Sequence, residues 1–170
     1  MKYVSILSVI GLSVVFLATG SLSGQNEVPP APNGISLPEG YRNWRLLASS
    51  YRSDNNTQRV ILGNDVAIEA AADGKTNPWP DGAVLAKLVW KNESLKGWPA
   101  AIAPGKFVHA EFMMKQSKKY PSTGGWGFAR WLGTEQKPYG KDETFVQECF
   151  DCHLPVKSTD YVFTSPATLP

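Results

Sequence analysis

Both cysteines of the chain and one of its two histidines fall within Cys149-Phe150-Asp151-Cys152-His153. Two thiols three residues apart, followed directly by an imidazole, have the spacing for covalent haem attachment. Cys149 and Cys152 would add to the two vinyl groups of one porphyrin, and His153 would sit beneath the iron as its proximal ligand. A thioredoxin-like dithiol would follow a strand at the start of a thioredoxin fold, which is absent here. A zinc site would need a fourth ligand and usually a second paired knuckle, and only the distant His109 remains. The motif therefore points to haem c, with its iron on His153.

No methionine follows His153, which excludes a downstream methionine as sixth ligand. His109 reads as a structural or surface histidine rather than an iron ligand. Met113 and Met114 read as core filler.

The elements that must position this motif are mostly strands. Arg59 to Leu62 is β-branched and bounded by Asn-Asn and Gly-Asn, which predicts a strand. Asp65 to Ala72 predicts a helix, with Asn64 as cap and Gly74 as stop. Pro78 to Gly82 is a tight turn feeding a strand over 83–90. From Lys106 to Met114 the pattern alternates: Val108, Ala110, Phe112 and Met114 face one way, Phe107, His109, Glu111 and Met113 the other. Trp126 to Leu132 is a further strand entered through Gly124-Gly125, and Glu143 to His153 reads as a helix. Tyr41 to Ser50 is apolar but ambiguous between helix and strand. Together these predict a mainly β fold: an antiparallel sheet with a few short helices and a haem-binding helix near the C-terminus. Ordinary small cytochromes c are helical and carry the motif near the start, so this order of elements sets the chain apart.

The ends and the composition bound the setting. Lys2 and the apolar run from Val4 to Ala18 read as a secretory signal over 1–23, too short for a comfortable span of ~20 residues. Export to the periplasm fits the motif, because haem c is attached outside the cytoplasm. Residues 24–38, rich in proline, read as an extended leader before a single domain over 39–170. The net charge of +2 and scattered basic residues give no sign of nucleic-acid binding; Lys115, Lys118 and Lys119 read as a solvated turn.

From Tyr41 onward the chain resembles the cytochrome P-460 family and its cytochrome c-prime-beta relatives. The likeness rests on Tyr41-Arg42-x-Trp44, the strand bearing Arg59, Asp81-Gly82-Ala83-Val84-Leu85-Ala86-Lys87, and Gly125-Trp126-Gly127-Phe128. The haem motif with Thr159-Asp160-Tyr161-Val162-Phe163-Thr164 completes it. The resemblance implies a five-coordinate haem with an open distal side, and a lysine, here Lys87, cross-linked to the porphyrin in members that oxidise hydroxylamine. It implies a distal arginine, matching Arg59, and an acid that removes protons, for which Glu143 and Glu148 are the candidates. In c-prime-beta members aromatic residues cap the iron, and Trp79 is the candidate cap. A lysine ending a strand is ordinarily a solvated edge residue. Alternation, however, puts Lys87 on an apolar face with Ala83 and Leu85, where burial would favour the neutral, nucleophilic amine.

Three functions follow as expectations. The first is a haem that binds a small nitrogen ligand, hydroxylamine or nitric oxide, and oxidises hydroxylamine to nitrous or nitric oxide, passing electrons to a redox-partner cytochrome. The second is a non-enzymatic binder of nitric oxide or carbon monoxide. The third is a six-coordinate electron carrier using His109 or a lysine. The resemblance also implies a homodimer packed through the sheet.

Overall fold

The computed structural model describes residues 27–168; the expected signal over 1–23 lies outside them. Six strands lie side by side in chain order, each antiparallel to its neighbour. They are β1 (Arg45–Arg52), β2 (Thr57–Gly63), β3 (Val84–Ser94), β4 (Ile102–Lys115), β5 (Trp126–Leu132) and β6 (Lys137–Pro138). Helix α1 (Asp65–Ala72) joins β2 to β3, and α2 (Phe145–His153) follows the sheet. The expected mainly β fold with a C-terminal motif helix is what the chain adopts. Among the described residues no helix is long and apolar enough to cross a membrane.

Local chemistry accounts for the boundaries. The Asn64 Oδ1 accepts the Ala67 N–H at 3.0 Å and starts α1, satisfying one of the donors a helix leaves free. Gly74, with φ of 68°, carries the chain out of it. The ambiguous apolar stretch becomes β1 because β2 is there to pair with it. A bulge between Leu46 and Ala48 turns both Leu47 and Ala48 into the core.

The two faces of the sheet bury different partners. On one, Leu47, Ile61, Leu85, Trp126 and Phe128 pack with Ala67 and Ala70 of α1, Phe150 of α2, and Tyr161 and Val162 beyond it. On the other, Ala86, Ala110, Phe112, Ala129 and Trp131 are covered by Ala31, Ile35 and Tyr41. The proline-rich segment has no helix or strand over 27–38 yet is docked. Trp131 Nε1–H donates to the Pro29 carbonyl at 3.0 Å, and Asn33 Nδ2–H to that of Phe128 at 2.9 Å.

One facing differs from simple alternation. His109 pairs with Val89 but Phe107 pairs with Trp90, so Val108 is an extra residue in β4. The bulge moves Phe107 to the covered second face, edge-on to Trp90 at 5.5 Å.

Candidate functional site

The antiparallel register lines up one row of side chains across four strands. Ile61, Lys87, Glu111 and Arg130 are successive partners from β2 to β5. Adjacent to it runs the row Gly63, Leu85, Met113 and Phe128. These rows floor a cavity of about 650 Å³, within the size range of cofactor pockets. Helix α2 brings Cys149, Cys152 and His153 to its wall, and Val162, Phe163 and Thr164 close one side.

The motif residues share a face because positions i, i+3 and i+4 are neighbours on a helix surface. Asp142 Oδ1 accepts the Thr144 N–H at 3.0 Å just before the first turn. The His153 Nδ1–H donates to the Tyr161 carbonyl at 2.6 Å, which leaves Nε2 free to ligate a metal. Burial holds His153 below the usual imidazole range, against the hydrogen bond to Tyr161, so the neutral ligating form is favoured. Phe128 and Phe163 flank the ring at 5.3 and 5.0 Å. Burial also raises the Cys149 thiol to about 11.

Glu111 is the centre of charge in the cavity. One oxygen pairs with Lys87 Nζ; the other lies 2.6 Å from Arg130 Nε and 3.5 Å from His109 Nε2. Burial works against ionising this carboxyl, but Lys87 and Arg130 outweigh it and hold Glu111 at about 2. His109 is pushed down to about 4, by burial first and then by Arg130 and Lys87, against the pull of Glu111. His109 does not line the cavity.

Of the acids expected from the sequence, Glu148 lines the rim, where Tyr139 Oη–H donates to it at 2.9 Å, and its side chain is 60 % exposed. Glu143 is exposed and does not line the cavity. Lys87 and Arg59 both do. Trp79 does not: it is 3 % exposed in the core, its N–H donating to Asp160 Oδ2 at 2.8 Å. The turn at Pro78 to Gly82 points it inward, so it cannot cap the cavity. Sequence reasoning does not single out Glu111, the buried carboxylate on the cavity floor, although alternation places it on one face with His109 and Met113.

The residues present fit a haem. Arg59, and Arg52 at the end of β1 beside Asp54, bring positive charge to a largely apolar cavity where a porphyrin's carboxylates could meet them, whereas Lys87 is already paired with Glu111. Arg59 Nε is buried without a hydrogen-bond partner among the described residues, and burial lowers this guanidinium. Such a donor beside the cavity is open to an acceptor bound there.

Paired thiols, an oriented imidazole and a cation-lined cavity on an antiparallel sheet define a c-type haem protein. The Cytochrome P460 family model matches residues 38–164, most of the chain, and the chain belongs to that family. No curated protein matches it.

Proposed function

We propose that the chain binds a small nitrogen ligand at the haem and oxidises hydroxylamine there. Cys149 and Cys152 would hold the porphyrin as thioethers and His153 would ligate its iron. Held there, the haem would supply a metal able to coordinate the ligand nitrogen and take up its electrons. The protein's own part is positional and acid–base. Arg59 and Arg52 would face the porphyrin carboxylates, and the buried Phe128 packs against the imidazole. Glu111 would take a proton from the coordinated substrate and pass it on to solvent, one at a time.

The observation that carries this reading is the row Lys87–Glu111–Arg130 across the cavity floor. A carboxylate held at about 2 is always ionised at neutral pH, and is too weak to deprotonate a free amine. That is far below the near-neutral value that suits a general base, so Glu111 could take a proton only from a substrate strongly acidified by coordination.

The test is Glu111→Gln in haem-loaded protein. Hydroxylamine-dependent reduction of an acceptor dye should fall by about 10²-fold or more while nitric oxide still binds. Full turnover in this variant would refute the acid–base role; a wild type that binds the gas but never turns over would leave the gas-binding alternative. A low-spin ferric spectrum would support the six-coordinate carrier instead. Periplasmic export, a redox-partner cytochrome and a homodimer belong to the same proposal. Mass spectrometry of the exported protein and light scattering test the first and third.

A further inference from the structure

Lys115 and Asp160 form an ion pair almost wholly out of solvent, with side chains 5 % and 8 % exposed. Lys115 Nζ donates to Asp160 Oδ1 at 2.7 Å, to Oδ2 at 2.8 Å and to the Gly124 carbonyl at 3.1 Å. Asp160 Oδ2 also accepts the Trp79 N–H, and its main-chain carbonyl accepts Trp126 Nε1–H at 2.8 Å. The turn before β3, the end of β4, the start of β5 and the segment after α2 thus converge on one aspartate. Lys115 is no part of a solvated turn.

The point they converge on is conformationally expensive. Asp160 and Tyr161 are consecutive non-glycine residues in the left-handed region, with φ of 52° and 65°. Such a conformation persists only where surrounding contacts over-determine it. Gly124 contributes by having no side chain: a Cβ there would collide with the Tyr161 ring. What this turn presents to the motif helix is the Tyr161 carbonyl, at 2.6 Å from His153 Nδ1.

A buried ion pair is seldom more stabilising than an apolar pair of the same volume, so its retention calls for another contribution. We propose that Lys115 and Asp160 are positioning residues for the proximal imidazole. They lock the Asp160–Tyr161 turn so that the Tyr161 carbonyl holds a short hydrogen bond to His153 Nδ1, fixing the ring and raising its donor strength toward the iron. A strong acceptor at the far nitrogen of a ligating histidine makes it a more basic ligand. The more basic ligand stabilises the ferric state. The inference rests on the haem reading of His153.

The test uses haem-loaded Lys115→Met, Asp160→Asn and the double variant. The amide oxygen that Asp160→Asn introduces can still accept the Trp79 N–H. Two quantities are read: the iron–imidazole stretching frequency of the ferrous protein by resonance Raman, and the ferric/ferrous midpoint potential. The stretch should move to lower frequency and the potential should rise. Trp131→Phe, on the opposite face of the sheet, should lower thermal stability and leave both unchanged. Red variants with the wild-type stretch and potential would overturn the inference, leaving the pair a stabilising contact. Failure of all three to yield haem-loaded protein would overturn it too, making the pair a folding requirement. A wild type without haem would refute the underlying reading instead, so the two failures are distinguishable.

Discussion

Lys87 and Glu111 are register partners on β3 and β4, and their side chains meet as an ion pair on the cavity floor. Neighbouring strands place directly opposed side chains close enough to interact, so the pair follows from the register itself. Arg130 extends it by one strand, with its guanidinium 4.4 Å from the Tyr139 ring centre. The cavity therefore carries its charge on rigid sheet positions rather than on loops, which favours a fixed geometry toward a bound ligand.

Two carboxylates are in reach of Arg130, and they should behave differently. Glu111 is buried between cations, whereas Glu148 lies 3.6 Å from Arg130 Nη1 at the exposed rim. Glu148→Gln should change stability by less than about 1 kcal/mol and turnover by less than about threefold, as an exposed pair would. Arg130→Gln, which strips Glu111 of a buried partner, should cost roughly 2–4 kcal/mol. Urea unfolding and dye-linked turnover of the two variants decide this. Equal effects would mean that burial does not separate the two acids.

Acid stability should carry the mark of the same cluster. Glu111 ionises at about 2 in the fold against an ordinary 4.5, so its contribution is complete above 4.5 and lost as pH falls toward 2. His109 protonates at about 4 in the fold against 6.5, so the unfolded chain takes up its proton first and stability falls as pH drops from 6.5 to 4. Both act in one direction. Each contributes on the order of 3 kcal/mol at most, since a tenfold change in proton affinity is worth about 1.4 kcal/mol. In haem-loaded His109→Gln, the decline of urea stability between pH 6.5 and 4 should flatten while that below pH 4 remains. An unaltered slope above pH 4 would show that His109 is not the group responsible.

What is legible in the sequence is whatever local chemistry settles. The motif helix and α1 are written in their own residues: a capping asparagine, a glycine stop, cysteines and histidine on one helical face. The facing of Lys87 follows from alternation alone. Contacts between distant segments are not legible. Glu111 meets Lys87 only through a hairpin register, and Lys115, beside Lys118 and Lys119 in sequence, finds Asp160 only after 45 further residues. Trp79 is a candidate cap only through the family resemblance, yet it is buried in the core with its N–H on Asp160. Likewise prolines make 24–38 read as a leader, while Ala31 and Ile35 bury against the sheet.

Asn64 joins helix and strand in a single side chain. Its Oδ1 accepts from Ala67 and from Val84 N–H, each at 3.0 Å, and its Nδ2–H donates to the Gly82 carbonyl at 2.8 Å. Asn64→Ala removes a helix cap and a strand tie together, so the loss should be about 2 kcal/mol, at the upper end for a cap alone. Asn64→Asp keeps both acceptors and should recover at least half. A loss no greater for alanine than for aspartate would mean that the oxygen's hydrogen bonds contribute little.

Gly124 separates backbone strain from side-chain contact. Gly124→Ala combines a φ of 66° with a Cβ placed 2.6 Å from Tyr161 Cζ and closer still to Cε2. The ring is 9 % exposed and packed on Phe150 at 5.3 Å, so it has little room to yield. Gly34→Ala has a comparable φ of 79° but meets nothing within 4 Å. It should cost only the strain of the left-handed region, about 1 kcal/mol, whereas Gly124→Ala should cost roughly 3 kcal/mol by adding overpacking. Because Tyr161 carries the carbonyl that holds His153 Nδ1, displacing its ring should also shift the haem absorption bands in Gly124→Ala and leave them in place in Gly34→Ala. Equal thermal shifts in the two variants, with unchanged spectra, would show that the Tyr161 ring gives way freely and that its packing does not hold the carbonyl.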